Sequence, residues 1–236
     1  MSYPDIEPLL RSLDVPTNPH AGQATYTLPA VAVSSSPISS SSTPPNADLK
    51  TINQSFPIAD ELERKFPDST TIFPTGVASR SLALLVDSLL VALRPVASPC
   101  IHPYIPDILD PRGRDHFHAT KPEKVVPPSD PDAAWDKLAQ GLQVFVDILS
   151  QDGRTGVFLE GKGETFGYAD AVLVAFMGWY ERGNKPVWDK MVALGDGQLG
   201  KLFEACRGWV EGQGETREWD WEQKNKGKAS SGAKDA

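Results

Sequence analysis

The chain has 236 residues, of which 40% are hydrophobic and 23% charged, an ordinary composition for a globular protein long enough to hold one or two domains. Its formal net charge of -8 argues against nucleic acid as a partner, because phosphate binding calls for a basic face. Cys100 and Cys206 are too few for a disulfide scaffold, and each is expected to pack as a small apolar group. Neither an unbroken run of about 18 apolar residues nor a leader pattern occurs, so we expect a cytoplasmic protein without a membrane partner.

The first third of the chain mixes short helices and strands. Residues 3–13 predict a short helix, because acidic residues stand near its start and apolar residues share one side. Two β-branched runs, 30–33 and 49–54, predict strands. Between them, the Ser- and Pro-rich stretch 34–48 has too few apolar residues for a core and predicts a flexible loop. A helix is predicted from Ser55 to about residue 66.

The remainder of the chain predicts helices only. The first of them starts near Val77 and is expected to end at Pro95 and Pro99. Asp130 and Pro131 predict the start of another, with an N-cap followed by proline at the first helical position. This helix is expected to run to residue 149, and further helices are predicted for 112–119, 167–180, 186–191 and 199–210.

Two points in the first third predict a small-peptide site. Proline cannot donate to a strand ladder, so Pro29 is expected at a strand start, where a cis Leu28–Pro29 bond would turn the backbone of Leu28 toward a ligand. Residues 51–62 predict a short strand running into a helix with Ser55 as its N-cap. The free amides and positive dipole end of such a helix favour a carboxylate.

These features, a strand entered through a proline, a second strand and a helix that starts at Gln54-Ser55, resemble in their order the second half of the glutathione-binding domain of glutathione transferases. The sequences of residues 3–10, 26–29 and 55–59 look most like the fungal branch of this family. The resemblance implies that Leu28 and Pro29 clamp the cysteinyl backbone of glutathione. It also implies that Gln54 and Ser55 hold the α-carboxylate and amine of the γ-glutamyl end. Glutathione would be a co-substrate, and no metal is implied.

The resemblance implies an α+β fold that is mostly α. An incomplete thioredoxin-like domain, residues 1–74, would precede an all-helical domain, residues 77–222, and a disordered tail, 223–236. In the family, the group that activates the thiol lies in a first strand-helix-strand unit, which needs about 30 residues or more. Only two residues precede Tyr3, so we expect that unit to be missing and Met1 to be an internal start, from a shortened gene model or a spliced product.

The function implied is glutathione conjugation, or thiol-dependent cleavage, of small electrophilic or hydrophobic molecules. Because the activating segment is expected to be missing, that activity is expected to be impaired, and no residue is assigned a catalytic role. The alternative is a non-catalytic relative that binds glutathione or contacts other proteins. Many relatives pair as dimers, so the resemblance also implies a homodimer.

Gly167 and Asp170 are expected to have a structural role at the start of the most apolar helix. The family places Ser or Thr three residues before this Asp as a capping box, and here glycine occupies that position. Asp170 is therefore expected to serve folding. His102, Asp115, His116 and His118 are the nearest approach to a metal-ligand cluster, but they lack the spacing of a zinc site, and solvated side chains are the better interpretation.

Overall fold

The structure is a computed structural model that describes residues 3–12, 15, 29–34, 49–160 and 165–211. Leu28, the greater part of the predicted loop and the predicted disordered tail lie outside the described residues. The chain divides into two compact units, Met1–Cys206 and Arg207–Ala236. Both predicted domains up to Cys206 fall in the first unit, and the boundary near residues 74–77 stays a prediction.

The N-terminal part pairs two strands beside a helix. A 3-10 turn at Tyr3–Asp5 leads into α1, Ile6–Ser12. Strand β1, Ala30–Ser34, is antiparallel to β2, Leu49–Asn53, with Ala30 opposite Asn53 and Ser34 opposite Leu49. Helix α2 follows at once as Ser55–Lys65. This short link fixes the start of α2 beside the start of β1.

All regular elements in the rest of the described chain are helices. The α-helices are α3, Val77–Ile101; α4, Ile105–Ile108; α5, Pro111–Thr120; α6, Pro131–Leu149; α7, Tyr168–Gly183; α8, Lys185–Val192; and α9, Leu194–Glu211. Further 3-10 turns span His102–Tyr104 and Pro122–Lys124. As predicted, Asp130 caps α6, its side chain accepting from the Ala133 amide at 2.9 Å.

The core is centred on α7, which packs chiefly against α3. Leu173, Met177 and Tyr180 of α7 are fully buried, as the unbroken apolar run predicted. Both cysteines are buried and free, in agreement with their predicted role as small apolar groups.

The prediction that α3 ends at its prolines is wrong, since the helix continues through Pro95 and Pro99 to Ile101. Each proline removes one helical hydrogen bond, but both face solvent, where water can satisfy the carbonyls they leave unpaired. Side chains at the C-terminal end of α7 also support this end of α3. The Tyr180 hydroxyl donates to the Ala97 carbonyl at 3.1 Å, and the Asn184 amide donates to the Cys100 carbonyl at 2.7 Å.

Residues 77–108 include an 18-residue window with mean hydropathy 1.6, long and apolar enough to cross a membrane by length and composition alone. Charged residues such as Asp87 and Arg94 interrupt this segment, so a search for unbroken apolar runs does not find it. A core helix passes the same test, and here α6 and α7 pack along α3. Leu84 and Leu85 lie on the opposite face, each 51% exposed.

A left-handed turn, Gly195–Gly197, opens α9. Gly195 has φ 61°, and a Cβ placed there would lie 2.0 Å from Cγ1 of Val146. Only glycine fits this position, both for its backbone conformation and for its closeness to α6.

Candidate functional site

The starts of β1 and α2 lie against each other. Pro29, just before β1, accepts a hydrogen bond at its carbonyl oxygen from the Gln54 amide at 3.2 Å. The strand register brings this about, because Ala30 lies opposite Asn53, the residue before Gln54. Two points that are separate in sequence therefore share one small region of surface.

The residue that precedes α2 is Gln54, not Ser55, so the predicted N-cap is shifted by one position. Gln54 has φ 75°, which is uncommon for a residue other than glycine. The buried Asn53 side chain accepts from the Gln54 amide at 2.7 Å and so supports this conformation. The chain turns at Gln54, and Ser55 becomes the first helical residue.

The start of α2 has the chemistry of an anion site. The first amides of a helix have no acceptor within the helix, and here Pro57 carries no amide while Ile58 donates to the Gln54 carbonyl at 3.2 Å. Within the described part of the chain, the amides of Ser55 and Phe56 have no acceptor, and with the Ser55 hydroxyl they lie at the positive end of the helix dipole. Such a set of donors fits a carboxylate.

Three of the four sequence-predicted glutathione contacts are thus brought together by the structure. Pro29 and Ser55 are exposed, and Gln54 is half-buried between them. Leu28 lies outside the described residues. Whether these residues bind glutathione stays a prediction at this point.

Tyr168, the first residue of α7, also reaches this region and was missed by sequence reasoning. Its ring centroid lies 5.6 Å from that of Phe56 and 5.5 Å from that of Phe73. Burial raises the pKa of the Tyr168 phenol, and the nearby Ser55 hydroxyl lowers it in part. The only sequence signal was an aromatic residue next to the predicted helix cap.

Asp170 fixes the first turn of α7. Its side chain is fully buried and accepts from the Gly167 amide at 2.9 Å and from the Leu159 amide at 2.7 Å. The first bond is the carboxylate half of a capping box, and Gly167 has no side chain to supply the other half. Burial raises the pKa of Asp170 to about 6, although both amide bonds act to lower it.

Arg154 offsets the buried charge of Asp170 only in small part. This guanidinium donates to the carbonyls of Phe158 and Leu159, and its positive charge acts to lower the pKa of Asp170. The neighbouring Glu160 carboxylate acts in the opposite direction and accepts from the Thr75 hydroxyl at 3.2 Å. This network ties the loop before α7 to the start of α3 and is structural.

A separate cavity of about 370 Å³ lies among α3, α6 and α8, beside Trp135 and Tyr104. None of the described site residues at the start of α2 lines it. Within the described ranges, no group of three or more acidic, His or Cys side chains could hold a metal ion.

Comparison with known proteins identifies the family. Residues 84–209 match the model of the glutathione S-transferase C-terminal domain. A curated relative, the glutathione S-transferase-like protein ustS of Aspergillus flavus, is 37% identical over 231 residues, which cover 92% of this chain and 79% of the relative. The chain belongs to the glutathione S-transferase family.

Solved structures show the same fold. A glutathione S-transferase of Ceriporiopsis subvermispora, solved in complex with glutathione, has a TM-score of 0.68 and 24% identity over 89% of this chain and 82% of its own. A glutathione transferase of Phanerochaete chrysosporium has a TM-score of 0.65 and 22% identity over 89% of this chain and 81% of its own. The predicted fold class is therefore confirmed, a mostly helical α+β protein with an all-helical C-terminal domain after a partial thioredoxin-like region.

Proposed function

We propose that this chain binds glutathione at the start of α2 and uses it to conjugate, or to cleave by its thiol, small electrophilic molecules in the cytoplasm. The observation that carries the proposal is the contact between the Pro29 carbonyl and the Gln54 amide. It joins one residue from each predicted half of the site, which supports binding of a single tripeptide by both. Family membership and a fold neighbour solved with glutathione support the choice of ligand.

The proposed contacts divide the tripeptide between two elements. The γ-glutamyl α-carboxylate would meet the Ser55 hydroxyl and the amides of Ser55 and Phe56, where the helix dipole favours negative charge. The backbone before β1, Leu28 and Pro29, would hold the cysteinyl unit. Gln54 would hold the γ-glutamyl amine, since its side-chain oxygen is an acceptor.

A second candidate is glutathione binding without turnover. Neither hydroxyl that we assign to this site, that of Ser55 or that of Tyr168, is assigned to the thiol, because both belong to the proposed carboxylate end. An unassisted thiol has a pKa of about 8.5, so only a few per cent is thiolate at neutral pH. Measuring binding and conjugation on the same sample separates the two candidates.

We also propose that two copies of this chain pair as a homodimer, as many relatives do.

Calorimetric titration with glutathione tests the site. Ser55→Ala should weaken binding about 10- to 100-fold, because a hydrogen bond to a charged group contributes about 1.5–3 kcal/mol. Ser150→Ala is the matched control, since it removes an exposed hydroxyl just after α6. Equal affinities for the wild type and Ser55→Ala would refute the assignment of the carboxylate end.

A further inference from the structure

The three-ring cluster joins the start of α7 to the start of α2. Phe56 follows Ser55 in α2, Phe73 lies between α2 and α3, and Tyr168 opens α7. The Phe56 and Tyr168 rings meet edge to face at 81°, and the Phe56 and Phe73 centroids lie 5.7 Å apart. This geometry is favourable for aromatic pairs. A rigid aromatic contact therefore holds Tyr168 next to the proposed carboxylate end.

Backbone hydrogen bonds hold the same tyrosine in place. The Tyr168 amide donates to the Ile72 carbonyl at 2.8 Å. The Ile72 amide in turn donates to the Glu63 carboxylate of α2 at 2.7 Å. On the other side, Asp170 binds the amide of Gly167, the residue before Tyr168. The ring is thus anchored both to α2 and to its own helix.

The hydroxyl of Tyr168 has no hydrogen-bond partner among the described residues. Its oxygen is buried and makes no hydrogen bond of ordinary geometry with the described residues. The Ser55 hydroxyl lies close enough to act on it, and the charge of Asp87 acts on it as well. A buried donor without a partner is costly. Ser55 directly precedes Phe56, whose ring packs on Tyr168, and so carries a hydroxyl in the neighbourhood of this unpartnered donor.

We propose that Tyr168 is a positioning residue for glutathione, an inference that rests on the proposed function. Its hydroxyl donates to the Ser55 oxygen, which leaves the Ser55 hydrogen free to donate to the γ-glutamyl carboxylate. Hydrogen bonds in such a chain polarise and strengthen one another. The all-helical part of the molecule thereby sets the affinity of a site built by the N-terminal part.

A double-mutant cycle tests the inference by calorimetry of glutathione binding to the full chain. Tyr168→Phe keeps the ring cluster and removes only the hydroxyl, so the melting temperature should stay within about two degrees. Its dissociation constant should rise about 3- to 10-fold, as for the loss of one hydrogen bond. In a Ser55→Ala background, Tyr168→Phe should add less than about twofold, because it acts through the serine.

A second control uses a ligand without the carboxylate to which Ser55 is proposed to donate. The analogue 4-aminobutanoyl-Cys-Gly lacks only the γ-glutamyl α-carboxylate, and toward it Tyr168→Phe and the wild type should have equal affinities. The inference would be overturned if Tyr168→Phe weakened glutathione binding equally in the wild-type and Ser55→Ala backgrounds. It would also be overturned if Tyr168→Phe weakened the binding of glutathione and of the analogue equally. No binding of glutathione by the wild type would refute the proposed function instead, and an effect of Ser55→Ala without one of Tyr168→Phe would refute the inference alone.

Discussion

Replacement of Asp170 by asparagine should change how the stability of this protein depends on pH. The carboxyl is fully buried, and burial raises its pKa from 3.8 to about 6. Its folded-state pKa is thus above its unfolded-state value. The contribution of Asp170 to stability is therefore fully present below pH 3.8 and is lost as the pH rises through 6.

The size of the effect follows from the shift. The pKa of Asp170 differs by about two between the folded and unfolded states, and each pKa unit corresponds to about 1.4 kcal/mol. The free energy of unfolding should therefore fall by about 3 kcal/mol as the pH rises from below 3.8 to above 6, with about 2 to 3 kcal/mol of this between pH 4 and pH 7. Asparagine has the same shape and does not titrate. It can accept from only one of the two amides that Asp170 binds, those of Gly167 and Leu159.

We expect Asp170→Asn to be less stable than the wild type at pH 4, and the difference in free energy of unfolding to shrink by about 2 to 3 kcal/mol at pH 7. Urea unfolding followed by tryptophan fluorescence at pH 4, 5, 6 and 7 measures it. Asp132→Asn is the control with the opposite sign, because a hydrogen bond from Lys190 lowers the pKa of this exposed carboxyl. A difference for Asp170→Asn that is constant with pH would refute the reasoning.

Two further predictions concern packing. Gly195→Ala should destabilise the fold by about 2 kcal/mol or more, because a side chain is strained at its positive φ and would collide with Val146. Gly208→Ala should instead stabilise the fold by up to about 1 kcal/mol, because Gly208 is a helical glycine with open space around it. Thermal unfolding of both variants tests this, and a Gly195→Ala melting temperature equal to the wild type would contradict it. Cys100 and Cys206 should resist a thiol reagent in the native state, since burial raises both thiol pKa values, that of Cys206 to about 12. The rate at which a chromogenic thiol reagent labels the two cysteines, followed by absorbance with and without urea, tests this. Rapid labelling of either cysteine without urea would be incompatible with the structure.

The features that the sequence predicted are those set by neighbouring residues. The Asp130 cap depends on three or four consecutive positions, and the apolar run after Gly167 could only be a buried helix. The proximity of Pro29 and Gln54 follows from the pairing of the two predicted strands, although the register that sets Ala30 opposite Asn53 is known only from the structure. These are local rules, so a single sequence suffices to apply them.

What the sequence could not predict depends on contacts between distant segments. Tyr168 meets Phe56 and Phe73 only after α7 packs beside the link between α2 and α3, and an aromatic residue at a helix start gives no hint of its partners. The continuation of α3 past Pro95 likewise depends on tertiary packing that overrides an unfavourable local preference.

The passage of α3 through its prolines has a consequence for the order of folding. Beyond Pro95, the ladder of backbone hydrogen bonds has gaps at both prolines, and the carbonyls of Ala97 and Cys100 receive side-chain donors from Tyr180 and the nearby Asn184. In a nascent chain these donors emerge from the ribosome long after α3 itself. The last turns of α3 are therefore expected to form late, when α7 arrives, so that a helix continuous in the native state is assembled in two stages.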